Sequence, residues 1–283
     1  PPSAMGQGAD LAVASLHKML PSLTQTALLH ATGARLSLPQ VVRQAGIFQS
    51  SSPSYLLMAS MDGCIRLLEE QGEELFSAWK ARLDKFDRLA SGLKHLRLLG
   101  HGAEAGASYP GIFALDPAKI LISTRNSALT GVELKNRLRE EYKIELEMAL
   151  DHYAVAMTGL GTDDTMPTRL AEALLALDEA AGPNEEPPAE PLPAYELPPR
   201  RISLEEAAMA PGGLTFLYDG IGKVCGEYIW AYPPGIPLVT PGEEITANLV
   251  ETVETLYRSG VRLLGTRGKP PFTTFAVADE ENQ

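Results

Sequence analysis

Hydrophobic and polar positions along the first hundred residues predict two strands followed by helices. Apolar runs at 9–14 and 24–31 predict two strands, the first of them short and buried. Ser52 followed by Pro53 predicts the N-cap and the first residue of a helix. Apolar residues then recur every three or four positions over 73–99, which is the spacing of a second helix with one side in the core.

Strands and helices alternate more closely after residue 100. The pattern predicts strands at 119–123, 144–148 and 153–157, and helices at 131–142 and 167–180. Such alternation over about 80 residues is typical of a compact α/β domain.

A second α/β pattern follows a segment rich in proline and glutamate. Seven prolines lie between Pro183 and Pro199 with no basic residue among them, which predicts a linker or an extended surface segment. Ser203 and Glu206 then have the spacing of a capping box at the start of a short helix. Beyond that helix, the pattern predicts strands at 222–232 and 261–265 and a helix at 243–259.

Composition and charge argue against several classes of function. The chain has 283 residues, of which 45% are hydrophobic, enough to build a sizeable core. Its net charge of -12 argues against nucleic acid or an anionic membrane as the main partner. Cys64 and Cys225 lack paired spacing, which indicates a reducing compartment and hence the cytoplasm. No apolar run approaches the roughly 18 residues of a transmembrane helix.

Lys18 is the most unusual charged residue because it lies between two apolar runs. Burying an ammonium without a partner is costly. This lysine therefore reaches the surface, pairs with an acid, or is a nucleophile whose lowered pKa lets the free amine attack a carbonyl. Pyridoxal 5′-phosphate is the obvious partner for such a nucleophile, and Ser15 and His17 offer groups that suit its phosphate. The five histidines show no metal-ligand spacing, so no metal is expected.

Three stretches, in the same order along the chain, resemble the bacterial ornithine/lysine/arginine decarboxylases, which are fold-type I pyridoxal-phosphate enzymes. FQSSSPSYLLMASMD at 48–62 is similar to the family's segment that reaches toward the partner subunit's cofactor phosphate. GEYIWAYPPGIPLVTPGE at 226–243 is similar to the signature loop of the family's C-terminal domain. The stretch that comes first along the chain, at 8–30, resembles the cofactor-lysine segment. Its matching positions are Ser15, His17, Lys18, Thr24, Gln25 and His30.

The resemblance implies a role for several of these side chains. Lys18 would hold the cofactor through an imine and then pass it to the α-amine of the substrate. Ser15 and His17 would bind the phosphate, and Lys18 or His17 would protonate Cα after carbon dioxide leaves. Ser51 and Ser52 would contact the phosphate in the other protomer's site, which implies a homodimer with shared active sites.

The implied activity is decarboxylation of a basic amino acid, with arginine favoured over lysine and ornithine, and agmatine, a polyamine-pathway amine, as the product. Glu227 is expected either to face the mouth of the active site and hold the cationic end of the substrate, or to be a solvent-side strand residue. Two other functions stay open: another fold-type I activity such as an aminotransferase, and a non-catalytic regulatory paralogue.

The implied fold class is α/β in three parts. The expected parts are the C-terminal portion of a fold-type I large cofactor domain at 1–97, a small α/β domain at 98–181, a linker at 182–202 and a C-terminal decarboxylase domain at 203–283. In the family, the acid on the ring nitrogen, the ring-stacking residue and the phosphate loop lie upstream of the lysine segment. Because the chain begins with Pro1 rather than Met, we expect a piece of a longer protein that is inactive by itself.

Overall fold

The computed structural model of the chain describes residues 3–33, 35–185, 195–232 and 235–278. It divides into two compact units, each built from two separate stretches of sequence. Unit 1 consists of Pro1–Lys85 and Thr158–Pro167, and unit 2 consists of Phe86–Met157 and Thr168–Gln283. The division into three domains stays a prediction.

Unit 1 begins with an antiparallel hairpin. Strand β1 (Leu11–Ser15) pairs residue for residue with β2 (Ala27–Ala31). Both predicted strands therefore exist, but the prediction that the first is buried is wrong, since Leu11 is 46% and Val13 is 74% exposed. The physical reason is that a sheet of two strands leaves its edges and much of its faces open.

One long helix takes the place of the two predicted ones. Helix α2 (Leu38–Phe48) precedes it, and α3 (Tyr55–Leu89) then runs unbroken for 35 residues. The predicted N-cap at Ser52 is wrong, because the hydroxyl of Ser54 accepts an N–H from the first turn at 3.4 Å. The predicted break before residue 73 is absent, because Gly72 inside a helix costs only about 1 kcal/mol.

Unit 2 contains a four-stranded antiparallel sheet and two helices. The elements are β3 (Arg97–Leu99), β4 (Lys119–Ser123), α4 (Gly131–Tyr142), β5 (Met148–Leu150), β6 (Tyr153–Met157) and α5 (Met166–Ala181). The strand order is β3-β4-β6-β5. The predictions for β4, β6 and α4 are confirmed residue for residue, whereas residues 97–99 form a strand instead of the predicted helix and β5 lies later than 144–148.

Two further small sheets complete unit 2, with the strand orders β10-β8-β9 and β11-β7. Their elements and helices are α6 (Leu204–Met209), β7 (Gly212–Phe216), β8 (Ile229–Tyr232), β9 (Ile236–Val239), α7 (Ala247–Arg258), β10 (Arg262–Gly265) and β11 (Thr273–Val277). The capping box at the start of α6 is confirmed, since the Ser203 hydroxyl accepts the Glu206 N–H at 3.1 Å. The strand predicted at 222–232 is confirmed only over its last four residues. The sequence pattern misses β7, β9 and β11; β7 contains glycine and β9 contains proline, which disfavour strands.

Parts of two predicted features lie outside the described residues: 186–194 of the linker, and Pro233 and Pro234 of the YPPGIP loop. Among the residues that are described, no helix is long and apolar enough to cross a membrane. The same residues contain no group of three or more His, Cys, Asp or Glu side chains that could hold a metal ion.

A buried carboxylate fixes the start of the four-stranded sheet. Asp178 of α5 accepts the backbone N–H groups of three successive residues, Lys94, His95 and Leu96, at 2.6, 3.0 and 2.6 Å. The Asp178 residue is only 2% exposed. A single side chain thus satisfies the backbone of the segment that leads into β3.

We expect Asp178→Ala to lower the free energy of unfolding by about 3 kcal/mol or more, because buried backbone donors lose their acceptor. Urea unfolding followed by circular dichroism measures the change. The matched control is Glu179→Ala, since this neighbouring carboxylate is exposed and pairs only with the side chain of Lys94. Equal losses in the two variants would show that the three N–H groups do not depend on Asp178.

Candidate active site

The predicted nucleophile lies in a helical turn at the end of the hairpin. Helix α1 (Leu16–Met19) follows β1 directly, and the Leu16 N–H donates to the Thr26 carbonyl at 3.1 Å. Leu16 is 2% exposed, whereas Lys18 is exposed. Of the readings left open for Lys18, the structure supports the one in which the lysine reaches the surface, here the surface of unit 1, while Leu16 turns inward.

Lys18 has no carboxylate within ion-pair distance anywhere in the described part of the chain. The interpretation of Lys18 as half of a structural ion pair finds no support. Its amine is accessible, as a nucleophile requires, although surface exposure alone would also suit an ordinary lysine.

The backbone just before strand β2 orients the ring of His17. Its Nδ1 lies 2.9 Å from the carbonyl oxygen of Thr26. A carbonyl oxygen only accepts, so Nδ1 carries the hydrogen and donates it, and Nε2 is the nitrogen left for other contacts. Ser15 is the N-cap residue of α1, but its hydroxyl makes no capping bond and the residue is exposed. Amine, imidazole and hydroxyl groups are thus brought together within one turn.

The loop that closes this turn is fixed to helix α3. The Ser60 hydroxyl accepts the Leu23 N–H at 2.8 Å and lies 3.2 Å from the Ser22 hydroxyl. Thr26, which is 2% exposed, donates its hydroxyl to Ser22 at 2.7 Å. Gln25, which belongs to the family's Thr24-Gln25 pair, has a φ of 80°. This is a left-handed backbone conformation that residues other than glycine rarely adopt. The Thr24-Gln25 pair therefore marks a tightly constrained backbone, which the sequence analysis did not identify. His30, the last position of the motif, is an exposed residue of β2.

A segment that the sequence analysis missed also reaches the lysine turn. The Leu160 N–H donates to the carbonyl of Met19 at 3.1 Å. Gly159 lies so close that an ideal Cβ there would meet the Met19 oxygen at 2.7 Å. The only available signal was the GLG tripeptide that follows β6.

Ser51 and Ser52 lie on the exposed loop before α3. Neighbouring Ser50 holds this loop by accepting the Ser52 N–H at 3.1 Å. The structure brings neither Ser51 nor Ser52 into a described hydrogen bond with the lysine turn. Because they were assigned to the other protomer's site, their role stays a prediction.

Glu227 lies in neither of the two places expected for it. It is 1% exposed, and its Oε2 accepts the N–H groups of Arg267 and Gly268 at 2.7 and 2.9 Å. Its Oε1 accepts the Thr274 hydroxyl at 2.9 Å and the Phe275 N–H at 2.6 Å. Four donors occupy the carboxylate, so the expectation that it faces the mouth of a site is wrong. Glu227 instead organises the loop between β10 and β11 together with β11 itself.

The same buried cluster contains a thiol. Cys225 donates its S–H to the Glu227 carbonyl at 3.2 Å, and its pKa is raised to about 11, mainly by burial. Cys64 is also free and buried, and burial raises the pKa of its thiol as well. Both cysteines are therefore inert core residues, in line with their isolated positions in the sequence.

Comparisons with known proteins bear on the family to which this chain is similar. Residues 3–98, which include the lysine turn and all of α3, match the family model "Orn/Lys/Arg decarboxylase, major domain". An arginine decarboxylase of Halalkalibacterium halodurans is 30% identical over 274 residues, covering 94% of this chain and 54% of that protein. An arginine decarboxylase of Bacillus anthracis is 28% identical over 276 residues, covering 94% and 53%. The resemblance stated from the motifs is thereby confirmed, with residues 3–98 matching the major domain of the Orn/Lys/Arg decarboxylase family.

Solved structures show the same mixed α/β fold. The constitutive lysine decarboxylase of E. coli aligns with a TM-score of 0.74 at 18% identity, covering 95% of this chain and 49% of that one. Lysine decarboxylase A of Pseudomonas aeruginosa aligns with a TM-score of 0.68 at 15% identity, covering 98% and 51%. The chain spans about half the length of the curated relatives it matches.

We expect Ser60→Ala to loosen the lysine turn, because it removes the acceptor of the Leu23 N–H and the contact to Ser22. The free energy of unfolding should fall by about 1 to 2 kcal/mol. Amide exchange at Leu23 should become faster. Ser77→Ala, an exposed position on the same helix, is the control and should change neither quantity. Unchanged exchange at Leu23 in both variants would contradict the assignment.

We expect Glu227→Ala to lower the free energy of unfolding by on the order of 3 kcal/mol, because four donors lose their acceptor in a buried place. Thermal unfolding measures the loss, and Glu251→Ala, exposed on α7, serves as the control. A Glu227→Ala protein as stable as the control would restore the view that this carboxylate faces a ligand.

Proposed function

We propose that this chain is the lysine-bearing part of a pyridoxal-phosphate-dependent decarboxylase of a basic amino acid. The observation that carries the proposal is the turn of α1, where an accessible amine adjoins an oriented imidazole and a hydroxyl that makes no capping bond. Among the described residues, that amine has no ionic partner. The same turn lies inside the region that matches the family model.

The residues present fit the cofactor. Lys18 would hold it through its amine, and the hydroxyl of Ser15 and Nε2 of His17 would contact its phosphate. When bound, the cofactor supplies an electron sink for the electrons released at Cα. The protein's own contribution is to hold the Lys18 amine in place and to move a proton through Lys18 or His17.

The hydrogen bond from Nδ1 of His17 restricts the contacts that the ring can make with a cofactor. Its Nδ1 hydrogen is committed to the Thr26 carbonyl, so a neutral His17 offers Nε2 only as an acceptor. Contact between Nε2 and a phosphate oxygen therefore requires the protonated imidazolium. Protonation of Cα by His17 would use the same Nε2 proton, so His17 can serve only one of the two roles at a time and Lys18 is the alternative proton donor.

Arginine is the proposed substrate, with agmatine as product. The support is that curated relatives at 28–30% identity are arginine decarboxylases. The structures of lysine decarboxylases at 15–18% identity support the fold alone. Glu227 is left out of the substrate site because its carboxylate is fully occupied within unit 2.

The architecture and assembly belong to the same proposal. We propose the four-part division at 97, 181 and 202, and a cytoplasmic homodimer in which Ser51 and Ser52 serve the partner's site. The exposed loop that carries these serines is consistent with a contact to another protomer. Since the chain spans about half of its relatives, we also propose that it is inactive without the other half.

The test measures carbon dioxide released from carboxyl-labelled arginine, lysine and ornithine by the complete polypeptide with pyridoxal 5′-phosphate. We expect release from arginine and a loss of at least about 1,000-fold in Lys18→Ala, because no other residue can replace the cofactor-binding amine. Lys80→Ala, which removes an exposed lysine of α3, is the matched control.

The outcomes separate the alternatives. Transfer of the amino group without carbon dioxide would indicate an aminotransferase, and no reaction with any of the three amino acids would indicate a non-catalytic paralogue. Borohydride reduction followed by peptide mapping should place the pyridoxyl label on Lys18. Activity that survives Lys18→Ala would overturn the site assignment.

A further inference from the structure

The lysine turn is supported by a segment far away in the sequence. Unit 1 combines the first 85 residues with Thr158–Pro167, which we call the return segment. The Leu160 N–H of this segment donates to the carbonyl of Met19, the residue after Lys18. Met19 is the last residue of α1, so this bond ties the return segment to the end of the helix that carries Lys18.

Gly159 makes this approach possible. An ideal Cβ at Gly159 would lie 2.7 Å from the Met19 oxygen and 3.0 Å from the Met19 Cα. Both obstacles are backbone atoms, so no side-chain rotation could relieve the clash. The φ of Gly159 is outside the left-handed region, so glycine is needed here for space and not for conformation.

The return segment cannot easily move aside. The Gly159 N–H donates to the Thr162 hydroxyl at 2.9 Å, and the Thr162 N–H donates back to the Gly159 carbonyl at 3.0 Å. Two bonds anchor the segment to α3: Trp79 Nε1 donates to the Thr158 hydroxyl at 3.1 Å, and Arg82 to Asp164 at 2.6 Å. A group added at Gly159 would therefore push on the turn that carries Lys18.

We infer that Gly159 is a positioning residue for Lys18: its missing side chain sets where the backbone of α1, and with it the Lys18 amine, is held. This inference rests on the proposed role of Lys18. It assigns a function to the return segment, which connects the lysine to a part of the chain about 140 residues later.

The chain supplies a matched control two residues away. An ideal Cβ at Gly161 meets nothing within 4 Å, and Gly161 is likewise outside the left-handed region. Gly159→Ala and Gly161→Ala therefore add the same methyl group to the same loop, and only the first collides with the backbone next to Lys18.

The test compares the two variants in the complete polypeptide with pyridoxal 5′-phosphate. We expect Gly159→Ala to lower kcat by about 100-fold, as expected for a misplacement of about 1 Å. We also expect a matching fall in the rate at which borohydride fixes the cofactor on Lys18. Gly161→Ala should behave as the unaltered protein in both measurements. Equal values in the two variants would overturn the inference.

A second variant covers the case in which Gly159→Ala does not fold. Thr158→Val removes the acceptor of Trp79 Nε1 with little change in volume. The folded variant should show slower labelling of Lys18, because the return segment is less firmly anchored. Labelling at the unaltered rate would count against the inference.

Hydrogen exchange in this 283-residue chain separates the inference from the proposed function. Gly159→Ala should speed exchange of the amides at 16–20, whereas Gly161→Ala should not. If the unaltered complete protein never labels at Lys18, the proposed function fails. The exchange data then still decide whether Gly159 positions the turn.

Discussion

A helix of four residues cannot hold itself together, and the site of this protein depends on how α1 is supported from outside. Nucleating a helical turn is unfavourable, and isolated helices shorter than about 12 to 15 residues are marginal. Here the Thr26 carbonyl accepts from the Leu16 backbone and the His17 ring, while the Leu160 backbone satisfies Met19. The side chain of Lys18 takes no part in these bonds, so the support leaves the amine available.

Sequence periodicity was most informative where a local rule and burial agreed. Strands β4 and β6 alternate between buried and half-buried residues, and α4 begins with a complete capping box, so all three were predicted to the residue. The family motif likewise located Lys18 and His17. Periodicity failed at α3, where the pattern was divided into two helices although the structure has one continuous helix of 35 residues.

Long-range contacts were beyond the sequence, because nothing near Gly159 or Glu227 reveals their partners. Glu227 shows this clearly: it was expected either to bind the substrate or to face solvent, yet its donors lie in the β10–β11 loop and in β11, 40 to 48 residues later. Asp178 does the same work more than 80 residues from the backbone it satisfies. In both cases a buried carboxylate accepts hydrogen bonds from several N–H groups that would otherwise bond to water. A single Asp or Glu in a sequence does not reveal whether its side chain is buried.

The discontinuity of unit 1 has a consequence for biosynthesis. A ribosome adds about 5 to 20 residues each second, so the nascent chain carries Lys18 for about 7 to 28 seconds before Gly159 is added. During that interval the Leu160 N–H cannot yet donate to the Met19 carbonyl at the end of α1, and the turn can reach its final setting only after β6 has been synthesised. The position of the Lys18 amine is thus fixed late in synthesis, although Lys18 lies near the start of this sequence.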